Sequence, residues 1–316
     1  MSFYRNIRIA GTGSYAPSRI VTNEELEKSV GTNTQWIFEN LGILERRIAE
    51  KEEYTSDLAV QAGLKAIENA GLEKDDIELI ILATATPDRK APSAACIVQQ
   101  KLGIRTHCPA FDISAVCSGF IYGLTIGSQF IQSGTYKNIL VIGADTFSKI
   151  TDWSRRDCVF FGDGAGAVVL QTSDSKEALF SSLLFANGQG QDHFTIYPKD
   201  EYFTMNGRAV YETGSVVLPQ AIRSVLQKNN LTPTDISMII PHQPSIRILK
   251  NTANELGIPF DRVMTNMDRF ANTSGGTIPI LLDEAHRGGK IKRNDLIVFA
   301  AVGSGWTWGA AIYRWL

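Results

Sequence analysis

The stretch Gly71-Leu72-Glu73-Lys74-Asp75-Asp76-Ile77 returns in altered form as Asn230-Leu231-Thr232-Pro233-Thr234-Asp235-Ile236, an offset of 159 positions from Ile77 to Ile236. Each copy follows a helical pattern and opens an apolar run. Ile77 to Ala85 in the first copy and Ile236 to Ile240 in the second read as buried strands. A repeat at this offset signals one supersecondary unit used twice. Working outward, helices are expected over 56–70, 93–102, 118–131, 214–227, 245–256 and 276–287. Strands are expected over 7–10, 110–113, 138–144, 168–170, 295–301 and 309–314. Strands alternating with helices indicate an α/β fold with central sheets. Nothing in the chain looks like a linker, so the two halves, 1–171 and 172–316, are expected to pack face to face.

The first half carries Ser114-Ala115-Val116-Cys117-Ser118-Gly119-Phe120 between an expected strand and an expected helix. Cys117 therefore stands at a strand-to-helix turn. Unpaired N–H groups and the positive end of the helix dipole would favour its thiolate, the nucleophilic form. Taken alone, such a thiol is more often a packed core residue. The repeat changes the weighing. Adding the offset to Cys117 reaches Gly276, a second helix start, just after Asn272-Thr273-Ser274-Gly275. His242 ends an early strand of the second copy, and Gly303-Ser304-Gly305 joins the last two strands. In open α/β sheets chemistry gathers at such strand ends.

The bulk numbers narrow the class. The chain has 316 residues, 44% hydrophobic and 20% charged, with a net charge of −2. That is a globular composition. No basic run is present, so nucleic acid is not an expected partner. No apolar stretch reaches the ~18 residues of a membrane span. Met1 to Asn6 leads straight into a strand-like run without a signal-peptide core. The four cysteines show neither metal-ligand spacing nor a disulfide pattern, and a reducing cytoplasm is the expected compartment. Gly11-Thr12-Gly13 lacks the third glycine of a dinucleotide site.

Val116-Cys117-Ser118-Gly119-Phe120, Phe161-Gly162-Asp163-Gly164-Ala165-Gly166-Ala167, His242-Gln243, Asn272-Thr273-Ser274 and Gly303-Ser304-Gly305-Trp306-Thr307-Trp308-Gly309 stand in an order that resembles the β-ketoacyl-(acyl carrier protein) synthase III family of the thiolase superfamily. The resemblance spans essentially the whole chain. It implies a thiolase-like duplicated fold, two pseudo-symmetric halves in a five-layered α-β-α-β-α sandwich. It implies that Cys117 accepts an acyl group from acyl-CoA, and that backbone N–H groups of Cys117 and Ser304 form the oxyanion hole. His242 and Asn272 would then bind the carbonyl of a malonyl thioester, carried by acyl carrier protein, as CO2 leaves. No metal and no cofactor beyond these substrates is implied, and a homodimer is.

The resemblance also implies binding positions. Trp36 would stack on the adenine of CoA. Its arginine partner is Arg155 by one alignment and Arg156 by another. Met205 and Gly207 would follow the pantetheine arm, and Arg247 would contact phosphate or carrier protein near the mouth. Ala91 stands where a bulky aromatic narrows the acyl pocket across the dimer interface in some members. Asn40, Pro244, Ser245, Val302 and Ser304 also depart from the family pattern. Ala91 and Val302 lead to the expectation of a longer or wider acyl pocket. Two other readings stay open: a related acyltransferase using a non-malonyl acceptor, and a non-catalytic partner subunit. A thiolase proper would need a second cysteine near the last glycine turn, where Ser304 stands.

Overall fold

The computed structural model describes residues 6–316; Met1 to Arg5, read above as leading into the first strand, lie outside the described residues. Two sheets carry the architecture. The first runs in the order Asn6–Tyr15, Gly164–Ser173, Asn138–Asp145, Leu79–Ala83 and Ala110–Ile113. Neighbours among its first three strands are antiparallel and its last three strands are parallel. The second runs Phe180–Ala186, Thr307–Arg314, Leu296–Gly303 and Met238–Pro241, with the same sequence of senses. Where the first sheet has its fifth strand, the second keeps a single parallel bridge from Ile239 to Val263. The two sheets thus follow one plan. The expected boundary at residue 171 falls inside the strand Gly164–Ser173.

Strand side chains alternate between faces, and both faces of each sheet are apolar. Ile80 and Leu82 pack toward the outer helices Thr55–Asn69 and Ala94–Leu102. Leu79 and Ile81 point inward, onto the helices Gly119–Gln132 and Thr277–Arg287. In the second sheet Ile240, Ile297 and Phe299 face those same two helices. Ile239, Val298 and Ala300 face the outer helices Gly207–Lys228 and Ile246–Leu256. The result is five layers, α-β-α-β-α, with one helix of each half in the middle. Because Ile81 is fully buried at this centre, its truncation to alanine would cost about 2–5 kcal/mol.

Small residues let the layers approach. The glycine run Gly164-Ala165-Gly166 belongs to a strand rather than to a turn before it. A Cβ at Gly166 would stand 2.5 Å from the backbone nitrogen of Ile280, so the helix Thr277–Arg287 lies directly on this strand. Two elements carry no clear sequence signal. Phe180–Ala186 contains Ser181-Ser182 and is half-buried along most of its length, which blurs the apolar alternation. The short ribbon of Phe194–Thr195 with Thr204–Met205 is held by only two residue pairs. The helix expected from residue 214 begins at Gly207, where the Asn206 side chain caps it by accepting from the Ala209 N–H.

Candidate active site

The site forms where the two central helices begin. Val116 adopts φ +46° and is followed by the tight turn Val116–Ser118 and the helix Gly119–Gln132. Ser274 adopts φ +52° and is followed by the tight turn Ser274–Gly276 and the helix Thr277–Arg287. This left-handed region is unusual for valine and serine, and strain of this kind persists where the surroundings over-determine it. Matching the two turns makes Gly275 the counterpart of Cys117, one residue before the Gly276 reached by the sequence offset.

The turns lock into each other's sheets. A Cβ at Gly143 would stand 2.0 Å from the Gly275 carbonyl oxygen. A Cβ at Gly303 would stand 2.9 Å from the Ala115 oxygen and 3.1 Å from the Cys117 nitrogen. Glycine is required at both, because no larger residue leaves room for the opposite turn. Asp145, fully buried at the end of its strand, accepts N–H bonds from Ala85 (2.7 Å), Thr86 (3.1 Å) and Gly275 (3.0 Å). It ties the first sheet to the second turn. A carboxylate closing an otherwise apolar strand is the signal by which sequence reasoning could have found it.

Cys117 Sγ lies 3.6 Å from Ser274 Oγ. Asn272 is buried, and its Oδ1 accepts the Ser274 N–H at 2.8 Å. That bond fixes the amide orientation and leaves Nδ2 as the donor end. His242 is 2% exposed at the end of Met238–Pro241, its backbone N–H donating to the Ala300 oxygen at 2.8 Å. Its Nδ1 is buried without a partner. Pro244, two residues on, has no N–H to offer it. Cys117, His242, Asn272, Gly303 and Ser304 line one cavity.

Burial decides the protonation states. It pushes the Cys117 thiol up to about 12, against the opposing bonds from Ser274, its own N–H and Asn272, and the Asp145 carboxylate adds to the rise. It pushes His242 down to about 3. The resting pair is a neutral thiol and a neutral imidazole. The expectation of a thiolate favoured at the helix start runs against this burial, which outweighs the hydrogen bonds that favour the thiolate.

The cavity opens outward along Phe160, Met205 and Gly207 into a groove lined by Trp36, Arg155, Arg156 and Asp157. Arg156 lies over the Trp36 ring, 4.0 Å from its centre. Arg155 is instead paired with Asp157 at 2.6 Å and bonded to the Phe203 oxygen at 3.3 Å. Of the two candidate arginines, Arg156 is the one against the tryptophan. Arg247 is exposed, stacks over Tyr211 at 5.2 Å and bonds Asn40 at 3.1 Å. Ala91 is exposed on its loop and does not line the cavity. Val302 does. Among the described residues no group of three or more His, Cys, Asp or Glu side chains is gathered as for a metal ion.

Comparison with known proteins agrees with this fold. Residues 111–188 match the family model for 3-oxoacyl-(acyl-carrier-protein (ACP)) synthase III, and residues 226–315 match the model for its C-terminal part. The chain is 46% identical over 311 residues to a β-ketoacyl-(acyl-carrier-protein) synthase III of Oceanobacillus iheyensis, covering 98% of this chain and 99% of that one. It is 45% identical over 316 residues to that of Thiobacillus denitrificans, with 98% and 99% covered. The crystal structure of 3-oxoacyl-(acyl-carrier-protein) synthase III from Aquifex aeolicus superposes with a TM-score of 0.95 at 44% identity, covering 98% and 100%.

Proposed function

Because the chain belongs to the 3-oxoacyl-(acyl-carrier-protein) synthase III family, we propose that its cavity carries out a decarboxylating condensation in two halves. The chain is a condensing acyltransferase, and a non-malonyl acceptor is not favoured. In the first half Cys117 Sγ attacks the thioester carbonyl of an acyl-CoA. The oxyanion is met by the N–H groups of Cys117 and Ser304, the C–S bond breaks, and CoA leaves with the thiol proton. Trp36 and Arg156 hold the nucleotide end; Met205 and Gly207 flank the pantetheine arm. The 4.0 Å Trp36–Arg156 stack must open to admit a base.

In the second half a malonyl thioester on acyl carrier protein takes the vacated arm. Asn272 donates from Nδ2 and His242 from the one N–H that its neutral ring carries. Both bonds strengthen as the carboxylate leaves as CO2 and its electron pair moves toward the thioester oxygen. The enolate carbon then attacks the Cys117 thioester, expelling the thiolate and giving a β-ketoacyl product. A neutral His242 suits this step, since its one ring N–H can meet the developing charge without a buried cation. The low exposure of His242 beside Asn272 and Cys117 is the observation that carries the reading.

No helix among the described residues is long and apolar enough to cross a membrane. A cytoplasmic homodimer is the proposed setting, with the exposed Ala91 loop facing the partner copy. The test is intact-mass analysis with acyl-CoA. Wild type gains one acyl group and Cys117→Ala gains none; an adduct on both sinks the reading.

A further inference from the structure

Arg46, in the short strand Glu45–Ile48, is 0% exposed. Its Nη1 donates to the Val21 oxygen at 3.1 Å. Its Nη2 donates to Asn23 Oδ1 at 2.8 Å and to the Val159 oxygen at 3.1 Å. Its Nε is buried without a partner. None of the three acceptors is a carboxylate. Burial pushes the guanidinium down to about 10, so it is still a cation at neutral pH. A buried cation met only by neutral dipoles is costly to keep, and a site that keeps one calls for a geometric reason.

Val159 supplies that reason. It belongs to the tight turn Arg156–Phe160. The next carbonyl along, that of Phe160, accepts the Asn272 N–H at 3.1 Å, and the Asn272 oxygen accepts the Gly162 N–H at 3.0 Å. Consecutive carbonyls of one turn are thus taken up by Arg46 and by Asn272. The far end of the segment is tied to the same short strand and the residue after it. The Asp163 N–H donates to the Arg47 oxygen at 2.8 Å, and Asp163 Oδ2 accepts the Ala49 N–H at 2.7 Å. There is no slack between. A Cβ at Gly162 would stand 2.5 Å from the Phe270 oxygen and 3.1 Å from Arg46 Cβ. Asn272 also follows Ala271, which adopts φ +54°. That conformation is unusual for alanine and persists only where the surroundings impose it.

We propose that Arg46 is a positioning residue for the condensing step: its guanidinium fixes the Val159 carbonyl and, through the adjoining Phe160–Gly162 bridge, sets where Asn272 presents its amide. The proposal rests on Asn272 being a donor to the malonyl thioester. Arg46 does not line the cavity, and Cys117 is braced by Gly303 on another element. Loss of Arg46 therefore acts on the second half of the reaction. The turn begins at Arg156, so acyl-CoA affinity shifts with it, and the first half is read at saturating acetyl-CoA.

The experiment uses wild type, Arg46→Lys, Arg46→Met and Asn272→Ala. Arg46→Lys keeps the charge and loses the fork; Arg46→Met loses both. Intact mass follows acetylation of Cys117, then its discharge by malonyl-carrier protein with CO2 release. Thermal unfolding identifies the folded variants. Acetylation is expected to stay within about threefold of wild type, while discharge slows about tenfold in Arg46→Lys and about a hundredfold in Arg46→Met, the scale of a small misplacement of a reacting group. A merely structural role would slow both halves together. Equal slowing of both in a folded variant overturns the proposal, and so does discharge at the wild-type rate. If neither Arg46 variant folds, Asn23→Ala, which frees one arm of the fork, decides by the same two outcomes. Discharge of Asn272→Ala as fast as wild type overturns the donor reading instead.

Discussion

The turns Val116–Ser118 and Ser274–Gly276 share one backbone and divide the chemistry. Both begin with a non-glycine residue at positive φ, both feed a central helix, and each presses on a glycine of the other half's sheet. At the equivalent position the first has Cys117 and the second Gly275. The first offers a sulfur nucleophile. The second offers no reactive side chain there, and its neighbours Asn272 and Ser274 surround the sulfur with donors. Duplication thus supplied two matching frames, and the side chains made one the attacker and the other its environment. The second frame also supplies the Ser274 and Asn272 bonds that oppose the desolvation raising the thiol.

This division can be broken at its parts. The largest effect is expected for His242→Ala. Losing one donor to a developing oxyanion costs about 10²–10³ in rate. CO2 release from malonyl-carrier protein should fall by that factor while Cys117 is still acylated; equal loss of both halves would contradict the division. Gly143→Ala and Gly303→Ala test the reciprocal contacts. With a Cβ 2.0 Å from one backbone oxygen and 2.9 Å from the other, Gly143→Ala should be the more destabilising, by about 1–3 kcal/mol or more in urea unfolding. The reverse order would mean that the two turns are not held alike.

The thiol gives smaller effects. With Cys117 pushed up to about 12, the thiolate fraction is small throughout the neutral range and grows with pH. Its alkylation by iodoacetamide should climb about tenfold per pH unit between pH 7 and pH 9, as only the thiolate reacts. A plateau near pH 7 would show a thiolate already formed. Ser274→Ala removes a contact that favours the thiolate and should slow alkylation a few-fold at fixed pH, a change on the scale of a single hydrogen bond.

Much of this arrangement is legible in the sequence. The repeat and the α/β class follow from apolar periodicity and turn residues, while the five layers and the roles of Cys117, His242 and Asn272 come from the family resemblance that the motifs carry. What stays hidden depends on contacts between distant segments. Arg155 and Arg156 are equivalent as letters, and only the Trp36 stack and the Asp157 pair separate them. Arg46 and Arg47 read as an ordinary basic pair, because burial of Arg46 against carbonyls from distant segments leaves no periodic trace. The thiol's rise reflects desolvation, which a motif does not record. The one-residue correction from Gly276 to Gly275 comes from backbone angles at Val116 and Ser274.

The most direct measurement is a two-stage mass experiment on wild type and Asn272→Ala, first with acetyl-CoA and then with malonyl-carrier protein. Both proteins should gain an acetyl group on Cys117. Wild type should then discharge it with CO2 release and a β-ketoacyl product, while the Asn272→Ala adduct persists through the second stage. Failure of Asn272→Ala to acquire the acetyl group, or its discharge as fast as wild type, would contradict the account.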